Sequence, residues 1–474
     1  MYNLDTIISL AKRRGLVFQS SEIYGGLNGC WDFGPLGVEF LNNIKTEWWK
    51  AMTYREDIEG VDASILMHPR TWEASGHISQ FTDPMIDNKQ SKLRYRADNL
   101  IEEFIDKLRK KKKTDKADEL EKKLSEAKEP ADYYNLILEY EIPDPVSGSK
   151  EWTEVRHFNL MFKTFIGPVE DTGSVVYLRP ESAQGIYLNF KNVMDTARQK
   201  LPFGIAQIGK AFRNEINTKN FLFRTREFEQ MEMQYFVKPG TEMEWYEYWK
   251  QQRFDWYIQM GISPESLKFK AHDKLAHYAN RADDIEYLFP FGWGEIEGIH
   301  SRTDYDLSRH QEFSGKKLEY VDTVNQERYT PYVVETSGGV TRSFMAFLCS
   351  AYKEEEAPDA NGKMEMRAIL KFSHKLAPIK AAVFPLVNKD GMPEKADLIY
   401  KDLQKRFKVM YDTSGAIGRR YRRQDEIGTP FCITVDGQTL EDDTVTIRDR
   451  DSMLQERISS SKVMEYINEK LVDG

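Results

Sequence analysis

Two short runs of arginines and carboxylates, joined by a polar stretch, constrain this chain more than any other feature. Residues 212–215 read FRNE, and residues 224–232 read RTREFEQME. Apolar residues flank both runs, which predicts an antiparallel hairpin. Alternate side chains of a strand share one face, so Arg213 would point the same way as Glu215, and Arg226 the same way as Phe228.

Such a hairpin carries groups that suit a nucleotide lying on a sheet. A guanidinium holds a phosphate through two parallel hydrogen bonds. A carboxylate two residues away can accept from an exocyclic amine, and an aromatic ring can stack on a purine. These residues alone leave open a second interpretation, a charged hairpin held together by salt bridges.

Composition limits the classes of protein to which the chain can belong. Its 474 residues, 40% hydrophobic and 12% aromatic, suffice for two or three domains with sizeable cores. The net charge of -9 argues only weakly against a nucleic-acid partner, because binding depends on local patches. Three cysteines far apart make neither a disulfide framework nor a zinc ribbon, so we expect a reducing compartment and no zinc. Without a secretory pattern or an apolar run of ~20 residues, we expect a cytoplasmic protein that contacts no membrane.

The pattern along the chain predicts an α/β fold with an inserted helical segment. Apolar residues spaced by three and four predict an amphipathic helix through Trp48, followed by a strand at residues 65–67 that ends at Pro69. Trp48 and Trp49 fit a core or a dimer surface equally well. Residues 87–154 include a Lys- and Glu-rich part that predicts a solvated helical hairpin.

The last hundred residues predict a separate small domain. Strands and helices alternate there over about 95 residues. We therefore expect a main domain at residues 1–375, with the insertion at about 87–154, and a second domain at residues 376–474.

Three further clusters lie outside the hairpin. Glu181 falls in the first turn of a predicted helix, where it either favours the helix dipole or meets a substrate ammonium. A strand would place Glu295 and Glu297 on one face, where two carboxylates repel and call for Mg²⁺ or an ammonium. Arg342 falls in the first turn of a helix after two glycines, which points to an anionic partner or to a plain surface arginine.

In combination these clusters resemble the class II aminoacyl-tRNA synthetases, whose three motifs would fall in order at residues 36–69, 212–232 and 338–342. Four strings resemble more narrowly the homodimeric glycyl-tRNA synthetases of subclass IIa. They read RGLVFQSSEIYGGLNGCWDFGPLG from Arg14, RPESAQGIYLNF from Arg179, GWGEIEGIHSRTDYDL from Gly292 and GRRYRRQDEIGTPFCITVD from Gly418. The third motif has two adjacent glycines where many class II enzymes have three spaced ones.

The resemblance implies a class II antiparallel sheet flanked by helices, a helical insertion and a C-terminal anticodon-binding domain with a mixed sheet. It implies that Arg213, Glu215 and Arg342 are catalytic, with Arg213 on the α-phosphate of ATP, Glu215 on the adenine amine and Phe228 stacked on the ring. Glu295 is the expected Mg²⁺ ligand. The remaining expected ATP contacts are Asn214, Phe223, Arg224, Thr225, Arg226, Glu227, Ile296, Gly339, Val340 and Thr341.

The resemblance further implies a glycine site and a tRNA site. The expected glycine contacts are Arg96, Glu181, Phe228, Glu229, Gln230, Met231, Glu232, Glu297, Glu335, Thr336, Ser337, Gly338 and Gly339. The expected contacts to tRNA(Gly) are Arg419, Arg420, Arg422 and Arg423, which surround Tyr421 unless that ring packs in the core. A homodimer is implied as well.

The implied reaction is the ATP-dependent ligation of glycine to the 3′ end of its tRNA, as a step of protein biosynthesis. Two alternatives remain: a binding protein that has lost catalysis on the same scaffold, and another synthetase with the same C-terminal domain. The presence of Arg213, Glu215, Phe228 and Arg342 disfavours the first alternative, and the carboxylate-rich strings disfavour the second.

Overall fold

The computed structural model describes residues 2–168, 173–273, 275–276, 278–358 and 364–473, and it divides into two compact units, residues 66–180 and the rest. The helices are α1 Leu4–Arg13, α2 Pro35–Thr53, α3 Arg70–Ala74, α4 His77–Gln80, α5 Ala97–Lys110, α6 Thr114–Glu126, α7 Pro130–Glu139, α8 Ala183–Ala197, α9 Glu242–Gln259, α10 Tyr305–Ser314, α11 Val340–Ala351, α12 Met392–Leu403, α13 Ile417–Ile427, α14 Gly437–Asp442 and α15 Val463–Asp473.

The strands are β1 Val17–Gln19, β2 Trp31–Phe33, β3 Ile58–Gly60, β4 Thr82–Asp87, β5 Arg94–Arg96, β6 Arg156–Asn159, β7 Lys163–Phe165, β8 Val175–Tyr177, β9 Phe203–Phe212, β10 Glu227–Val237, β11 Leu267–Ala271, β12 Arg281–Phe289, β13 Gly292–Thr303, β14 Tyr320–Asp322, β15 Glu327–Tyr329, β16 Tyr332–Gly339, β17 Tyr352–Pro358, β18 Met364–Leu370, β19 Ala381–Pro385, β20 Val409–Tyr411, β21 Phe431–Val435, β22 Thr444–Asp449 and β23 Gln455–Ser459.

A seven-stranded sheet in the order β11-β12-β13-β16-β10-β9-β3 forms the centre of the larger unit. Its strands pair antiparallel except β3, which runs parallel to β9 at the edge. The predicted hairpin is confirmed, because β9 and β10 pair from Phe212 opposite Glu227 onward. One face of the sheet packs with α2, α9 and α11 around a core that includes Trp48, Met231 and Phe344. On the other face, Phe203 and Phe236 pack with α8 in a second apolar cluster, and polar side chains occupy the same face further along β10.

The helix predicted through Trp48 is confirmed as α2, and Trp48 is fully buried in the core. A dimer surface at Trp48 is therefore excluded. The predicted strand at residues 65–67 is wrong, since the strand after α2 is β3 and Leu66 makes only an isolated bridge to Leu178. Pro69 instead precedes the short helix α3. A prediction from hydrophobicity alone placed the strand too far along the chain.

Residues 97–139 of the smaller unit form three helices, α5, α6 and α7, where the sequence predicted a helical hairpin. Helices α5, α6 and α7 share a core with Trp152 and with Ile86 of the three-stranded sheet β5-β4-β6. Leu108 and Leu120 are buried in this core. At the tip, Arg109 pairs with Asp118 and Glu121 of α6, so this arginine contributes to the fold of the insertion.

The C-terminal part of the larger unit holds a five-stranded mixed sheet in the order β20-β19-β21-β22-β23, as the resemblance implied. Strands β20, β19 and β21 are parallel, and β22 and β23 add antiparallel. Helices α13 and α14 and strand β23 were not predicted from the sequence. The acidic composition of residues 354–363, with a proline, an asparagine and a glycine, predicts a linker or loop. This prediction is wrong for residues 354–358, because β17 pairs with β18 through Pro358. Residues 359–363 lie outside the described part of the chain.

Within the described ranges, no helix combines the length and the apolar character that crossing a membrane requires.

Candidate active site

Three adjacent strands of the large sheet present a row of polar side chains on the face away from the helical core. Glu232 of β10 lies opposite Ser337 of β16, which lies opposite Gly298 of β13. One step along, Glu335 of β16 lies opposite His300 of β13. All five residues line one cleft. Because paired residues of a sheet share a face, the register of three strands builds this row.

Two arginines from distant parts of the chain border the same cleft. Arg213 lies just after β9, in the hairpin loop, with its guanidinium carbon 5.4 Å from the centre of the Phe228 ring. Arg342 lies in the first turn of α11, as the sequence predicted, and packs 4.5 Å from the Phe223 ring. This end of the cleft therefore offers two guanidinium groups and two aromatic rings.

Arg342 is held in place by the hairpin loop and by β13. Its Nε donates to the carbonyl oxygen of Phe223 at 3.0 Å, and its Nη1 donates to the carbonyl of Glu295 at 3.2 Å. The same Nη1 lies 3.1 Å from the Glu295 carboxylate. This guanidinium lowers the pKa of Glu295, so that carboxyl stays ionised. The arrangement orients a planar donor before any ligand arrives.

The opposite end of the cleft is acidic. Glu232 is almost fully buried and accepts from Ser337 Oγ at 2.6 Å, from Gln230 Nε2 at 3.2 Å and from the Ser182 hydroxyl. Burial, together with the nearby carboxylates of Glu335 and Glu181, raises the pKa of Glu232 to about 7. A buried carboxylate whose charge is this poorly compensated favours a cationic ligand.

Glu335 differs because it has a cation of its own. It accepts from Arg302 Nη1 at 2.9 Å and from Gln234 Nε2 at 2.7 Å, and it contacts His300 Nδ1 at 2.8 Å. Burial raises the pKa of Glu335, but Arg302 and His300 outweigh burial and hold it below its usual range. Arg302 also binds Asp306 through two hydrogen bonds. The buried guanidinium thus balances only part of the acidic charge.

The prediction that Glu295 and Glu297 share a face is wrong, and a β-bulge is the reason. The pairing of β12 with β13 shifts between Ile285 and Glu286, so that Ile285 lies opposite Glu297 and Glu286 opposite Glu295. The extra residue, Ile296, reverses the alternation of side chains. Glu295 faces the cleft, whereas Glu297 turns into the core beneath the sheet.

In that core Glu297 forms a buried ion pair with Arg253 of α9. Arg253 donates to the Glu297 carboxylate from Nε at 2.7 Å and from Nη2 at 3.2 Å. Neither side chain is more than 2% exposed. Its guanidinium also packs 4.6 Å from the Trp256 ring. We expect Arg253→Met to lower the free energy of unfolding by about 3–5 kcal/mol, because Glu297 would be left buried and unpaired.

Urea unfolding at pH 8 measures this effect. The matched control is Arg328→Met, which removes an exposed arginine of β15 paired with Glu319 at the surface and should change stability by less than about 1 kcal/mol. Adding Glu297→Leu to Arg253→Met should restore most of the loss. A loss below about 1 kcal/mol for Arg253→Met alone would contradict the role given to this pair.

The cleft gathers most of the predicted site residues. Besides Arg213, Glu232, Glu295, Glu335 and Arg342, the predicted residues that line it are Glu181, Glu215, Phe223, Arg224, Thr225, Phe228, Glu229, Gln230, Ser337, Gly339 and Thr341.

Nine of the predicted ATP and glycine contacts in the larger unit do not line it. Met231, Ile296, Glu297, Thr336 and Val340 are buried, and a side chain at Gly338 would meet Met231. Glu227 pairs with Lys210 at the surface, and Arg226 donates to the carbonyl oxygens of Glu215 and Asn28. Asn214 is not among the lining residues either. The alternation expected from Arg226 to Phe228 fails because β10 begins only at Glu227.

Arg96 lies in the smaller unit, where it pairs with Asp83 at 3.0 Å and with Asp98 at 2.6 Å. Its contact with glycine stays a prediction.

Sequence reasoning missed five residues of the cleft, namely Leu222, Tyr278, Gly298, His300 and Arg302. One signal was available: Arg302 and Asp306 are four residues apart at a strand-to-helix turn, a spacing at which such side chains pair. Nothing in the local sequence marks His300, whose role arises from strand pairing with Glu335.

The four arginines predicted to bind tRNA do not form one surface. Arg420 is buried and donates to the carbonyl oxygens of Gly415 and Pro385, so its predicted contact is wrong. Tyr421 packs against Phe384 and donates to or accepts from Thr434 at 2.6 Å, which decides for the core-packed alternative. The guanidinium of Arg423 donates to Asp412.

Arg419 and Arg422 remain as candidates on α13. Arg419 is exposed, and Arg422 lies 3.4 Å from Glu365 in a half-exposed ion pair.

Three family descriptions match separate stretches of the chain. The tRNA synthetase class II core domain (G, H, P, S and T) matches residues 164–352, and the anticodon binding domain matches residues 380–470. The glycyl-tRNA synthetase insertion domain 1 matches residues 83–128 and 110–160. The cleft, the C-terminal mixed sheet and the helical insertion thus each correspond to a matched module.

Curated relatives match over nearly the full length. A glycine–tRNA ligase of Chlorobaculum tepidum is 56% identical over 99% of this chain and 100% of its own. Those of Treponema denticola and Borreliella burgdorferi are 53% and 52% identical, covering 99% and 100% of this chain and 97% and 98% of their own. With these matches and a cleft of arginines, aromatic rings and buried carboxylates, the chain belongs to the glycine–tRNA ligases, a family of class II aminoacyl-tRNA synthetases.

Proposed function

We propose that this cleft activates glycine with ATP and that its two ends divide the two substrates. The chain is an ATP-dependent ligase that joins glycine to tRNA, as its family membership establishes. The observation that carries the assignment to this cleft is the single row that joins Arg213 and Arg342 at one end to Glu232 and Glu335 at the other.

The arginine end suits the nucleotide. We assign the α-phosphate to Arg213 and the exocyclic amine of adenine to Glu215. The purine stacks on the Phe228 ring. Arg342 stabilises either the purine or the terminal phosphate. Arg224, Thr225, Gly339 and Thr341 line the remaining wall. Guanidinium groups that already point into the cleft hold charge without the reorganisation that water would need.

Glu295 is the proposed ligand for the Mg²⁺ that accompanies ATP. Its carboxylate is ionised and 46% exposed, and hard carboxylate oxygens are the donors that Mg²⁺ takes. Such an ion, when bound, would help to neutralise the charge of the departing pyrophosphate.

The acidic end suits the ammonium of glycine. Glu232, with its raised pKa, lies between Ser182 and Ser337, and Glu181 lines the same end. Arg302, a buried cation at this end, already binds Glu335 and Asp306, so the carboxylate of glycine points toward the arginine end. A carboxylate-lined end next to an arginine-lined end matches a zwitterion.

The chemistry then needs no general base. An oxygen of the glycine carboxylate attacks the α-phosphorus, a P–O bond forms, the bond to pyrophosphate breaks, and pyrophosphate leaves with its electron pair. The nucleophile is already an anion, so the protein contributes alignment and relief of anion–anion repulsion. The terminal ribose hydroxyl of tRNA next attacks the carbonyl carbon, and AMP leaves.

Glycine is the smallest amino acid, so every competitor must place extra atoms in this end. Overfilling a packed site costs about 1–3 kcal/mol or more. We therefore expect no editing activity. Rapid release of alanine from mischarged tRNA by the purified protein would contradict this expectation.

Amino-acid-dependent exchange of pyrophosphate into ATP, measured with all twenty amino acids, tests the proposed function. Glycine alone should support exchange. Equal activity with proline or threonine would point to another synthetase of the same class. Absence of exchange with every amino acid, in a folded protein that binds ATP, would favour a binding protein on this scaffold.

The affinity for glycine should depend on pH near neutrality. The pKa of Glu232 in the unliganded protein is raised to about 7, and an ammonium binds only its ionised form. We expect kcat/KM for glycine in the exchange reaction to fall about tenfold per unit as pH drops from 7 to 5. The raised pKa of His300 acts in the same direction, because its protonation adds positive charge beside Glu335.

The control for this profile is the KM for ATP at saturating glycine, which should vary much less. A value of kcat/KM for glycine that stays flat from pH 8 to pH 6 would contradict the assignment of Glu232.

The proposed tRNA contact narrows to the exposed end of α13. We expect Arg419→Glu to weaken tRNA binding about tenfold at 0.1 M salt, because it removes a phosphate partner and adds a repelling charge. The matched control, Arg406→Glu, reverses an exposed charge that follows α12 and should leave affinity unchanged. Filter binding measures both variants, and equal loss in both would indicate a general charge effect.

We also propose that the protein acts in the cytoplasm as a homodimer. The proposal of a dimer draws on an exposed apolar segment that contains Ile23, Tyr24 and Leu27. Sedimentation equilibrium that yields only monomer would remove it.

A further inference from the structure

A cluster of potential metal ligands lies beside the acidic end of the cleft. His272 directly follows β11, Asp284 belongs to β12 and His300 belongs to β13. These three strands are adjacent in the sheet. One ligand atom of each lies within 4.8 Å of the others. Among the described residues, no other group of three histidines, cysteines or carboxylates is gathered in this way.

His300 is oriented for such a role. Its Nδ1 contacts Glu335 at 2.8 Å, which leaves Nε2 for another partner. Metal-binding histidines usually direct one ring nitrogen to a carboxylate or carbonyl, because this fixes the tautomer and the ring plane. The ring leans over Gly298, where an added Cβ would lie 2.6 Å from its Cε1. The absence of a side chain at Gly298 therefore leaves room for the His300 ring.

The other two side chains lack a full set of partners. His272 Nε2 is 2.8 Å from Asp284 Oδ1, yet this buried nitrogen has no partner in hydrogen-bond geometry. The Asp284 side chain is 13% exposed and faces this nitrogen with Oδ1. A cation at this point would satisfy both groups.

We propose that His272, Asp284 and His300 bind a zinc-class dication at a site separate from the Mg²⁺ of ATP. Two imidazoles and one carboxylate suit Zn²⁺ or Co²⁺, whereas Mg²⁺ prefers oxygen ligands. Bonds of about 2.0–2.1 Å require ligand atoms about 3.4 Å apart, which a small movement of the partly exposed His272 ring achieves. Three protein ligands leave the fourth position open.

A metal ion bound at this site should weaken the binding of glycine. The metal takes neutral His300, whose Nδ1–H is then donated to Glu335, and its double charge lies one imidazole ring away from that carboxylate. A positive charge there repels the ammonium of glycine. This second step depends on the proposed function of the acidic end, whereas the metal site itself does not.

Titration of the full-length, metal-freed protein with Co²⁺ tests the site directly. Visible absorption should report one Co²⁺ per chain with nitrogen ligands. We expect His272→Ala and Asp284→Asn each to weaken Co²⁺ binding more than about 100-fold, while circular dichroism stays unchanged. The matched control is His374→Ala, which alters another histidine near a carboxylate, Asp451, and should leave the affinity as it is. Absent Co²⁺ bands in the unaltered protein, or equal binding by His272→Ala, would overturn the site.

Equilibrium dialysis with labelled glycine tests the coupling. Zn²⁺ is added in an amount equal to the protein, without nucleotide, so that little free metal remains for chelation. Glycine affinity should fall about tenfold or more in the unaltered protein and stay constant in His272→Ala. An unchanged glycine affinity with Zn²⁺ bound would overturn the coupling. Failure of glycine to bind even without metal would count against the proposed function, while the Co²⁺ spectrum would still decide the site.

Discussion

Replacing Arg342 by lysine is expected to slow the glycine-dependent exchange of pyrophosphate into ATP by about 10³-fold. Lysine keeps the charge but loses the planar fork that bridges the Phe223 carbonyl, the Glu295 carbonyl and the Glu295 carboxylate. It also loses the stacking on the Phe223 ring. An arginine at the terminal phosphate stabilises the charge that develops on the departing pyrophosphate, so the loss should be mainly in kcat.

The structure offers a control for this substitution. Arg328→Lys alters an arginine of β15 that pairs with Glu319 at the surface and should leave exchange unchanged. The melting temperature and circular dichroism of both variants should match those of the unaltered protein. A loss smaller than tenfold for Arg342→Lys would remove Arg342 from the catalytic set. Arg213→Ala should abolish exchange in the same way if both arginines act on one triphosphate.

Replacing Glu232 by glutamine is expected to lower kcat/KM for glycine by about 100-fold or more and at the same time to stabilise the free protein. Glutamine keeps the shape and an acceptor for the Ser337 hydroxyl, but it removes the charge that binds the ammonium. The KM for ATP should change little, because Glu232 lies at the other end of the cleft.

The sign of the stability change follows from the pKa. Glu232 has a folded-state pKa of about 7, above the ordinary value of about 4.3 for a glutamate in an unfolded chain. Its ionisation therefore destabilises the folded state progressively as pH rises from about 4 to 7, and fully above that range. At pH 8 the glutamine variant avoids this loss, which amounts to at most about 4 kcal/mol.

Thermal unfolding at pH 8 and at pH 4.5 separates the charge effect from a packing effect. The melting temperature of Glu232→Gln should exceed that of the unaltered protein by a few degrees at pH 8, and the difference should shrink at pH 4.5. A lower melting temperature at both pH values would show that the side chain stabilises the fold, contrary to the role proposed here.

The local sequence was sufficient for elements whose signals lie within a few residues. The hairpin of β9 and β10, the amphipathic face of α2 and the position of Arg342 in the first turn of α11 were all readable from spacing and turn residues. The motif strings were sufficient to identify the family. The predicted positions of some elements were inaccurate. The strand after α2 was predicted at residues 65–67 but is β3. Helix α13 was missed because its arginines obscure the apolar pattern.

The sequence by itself determined the chemistry that the chain can offer: arginines for a triphosphate, carboxylates for an ammonium, and the family to which they belong. Only the tertiary structure decided which of these groups meet. One extra residue at Ile296 sends Glu295 to the cleft and Glu297 to Arg253, because strand alternation is reversed by a single insertion. Pairing between distant strands brings His300 to Glu335, and burial next to other carboxylates makes Glu232 the poorly compensated charge. Register and burial depend on the whole fold, and no local pattern encodes them.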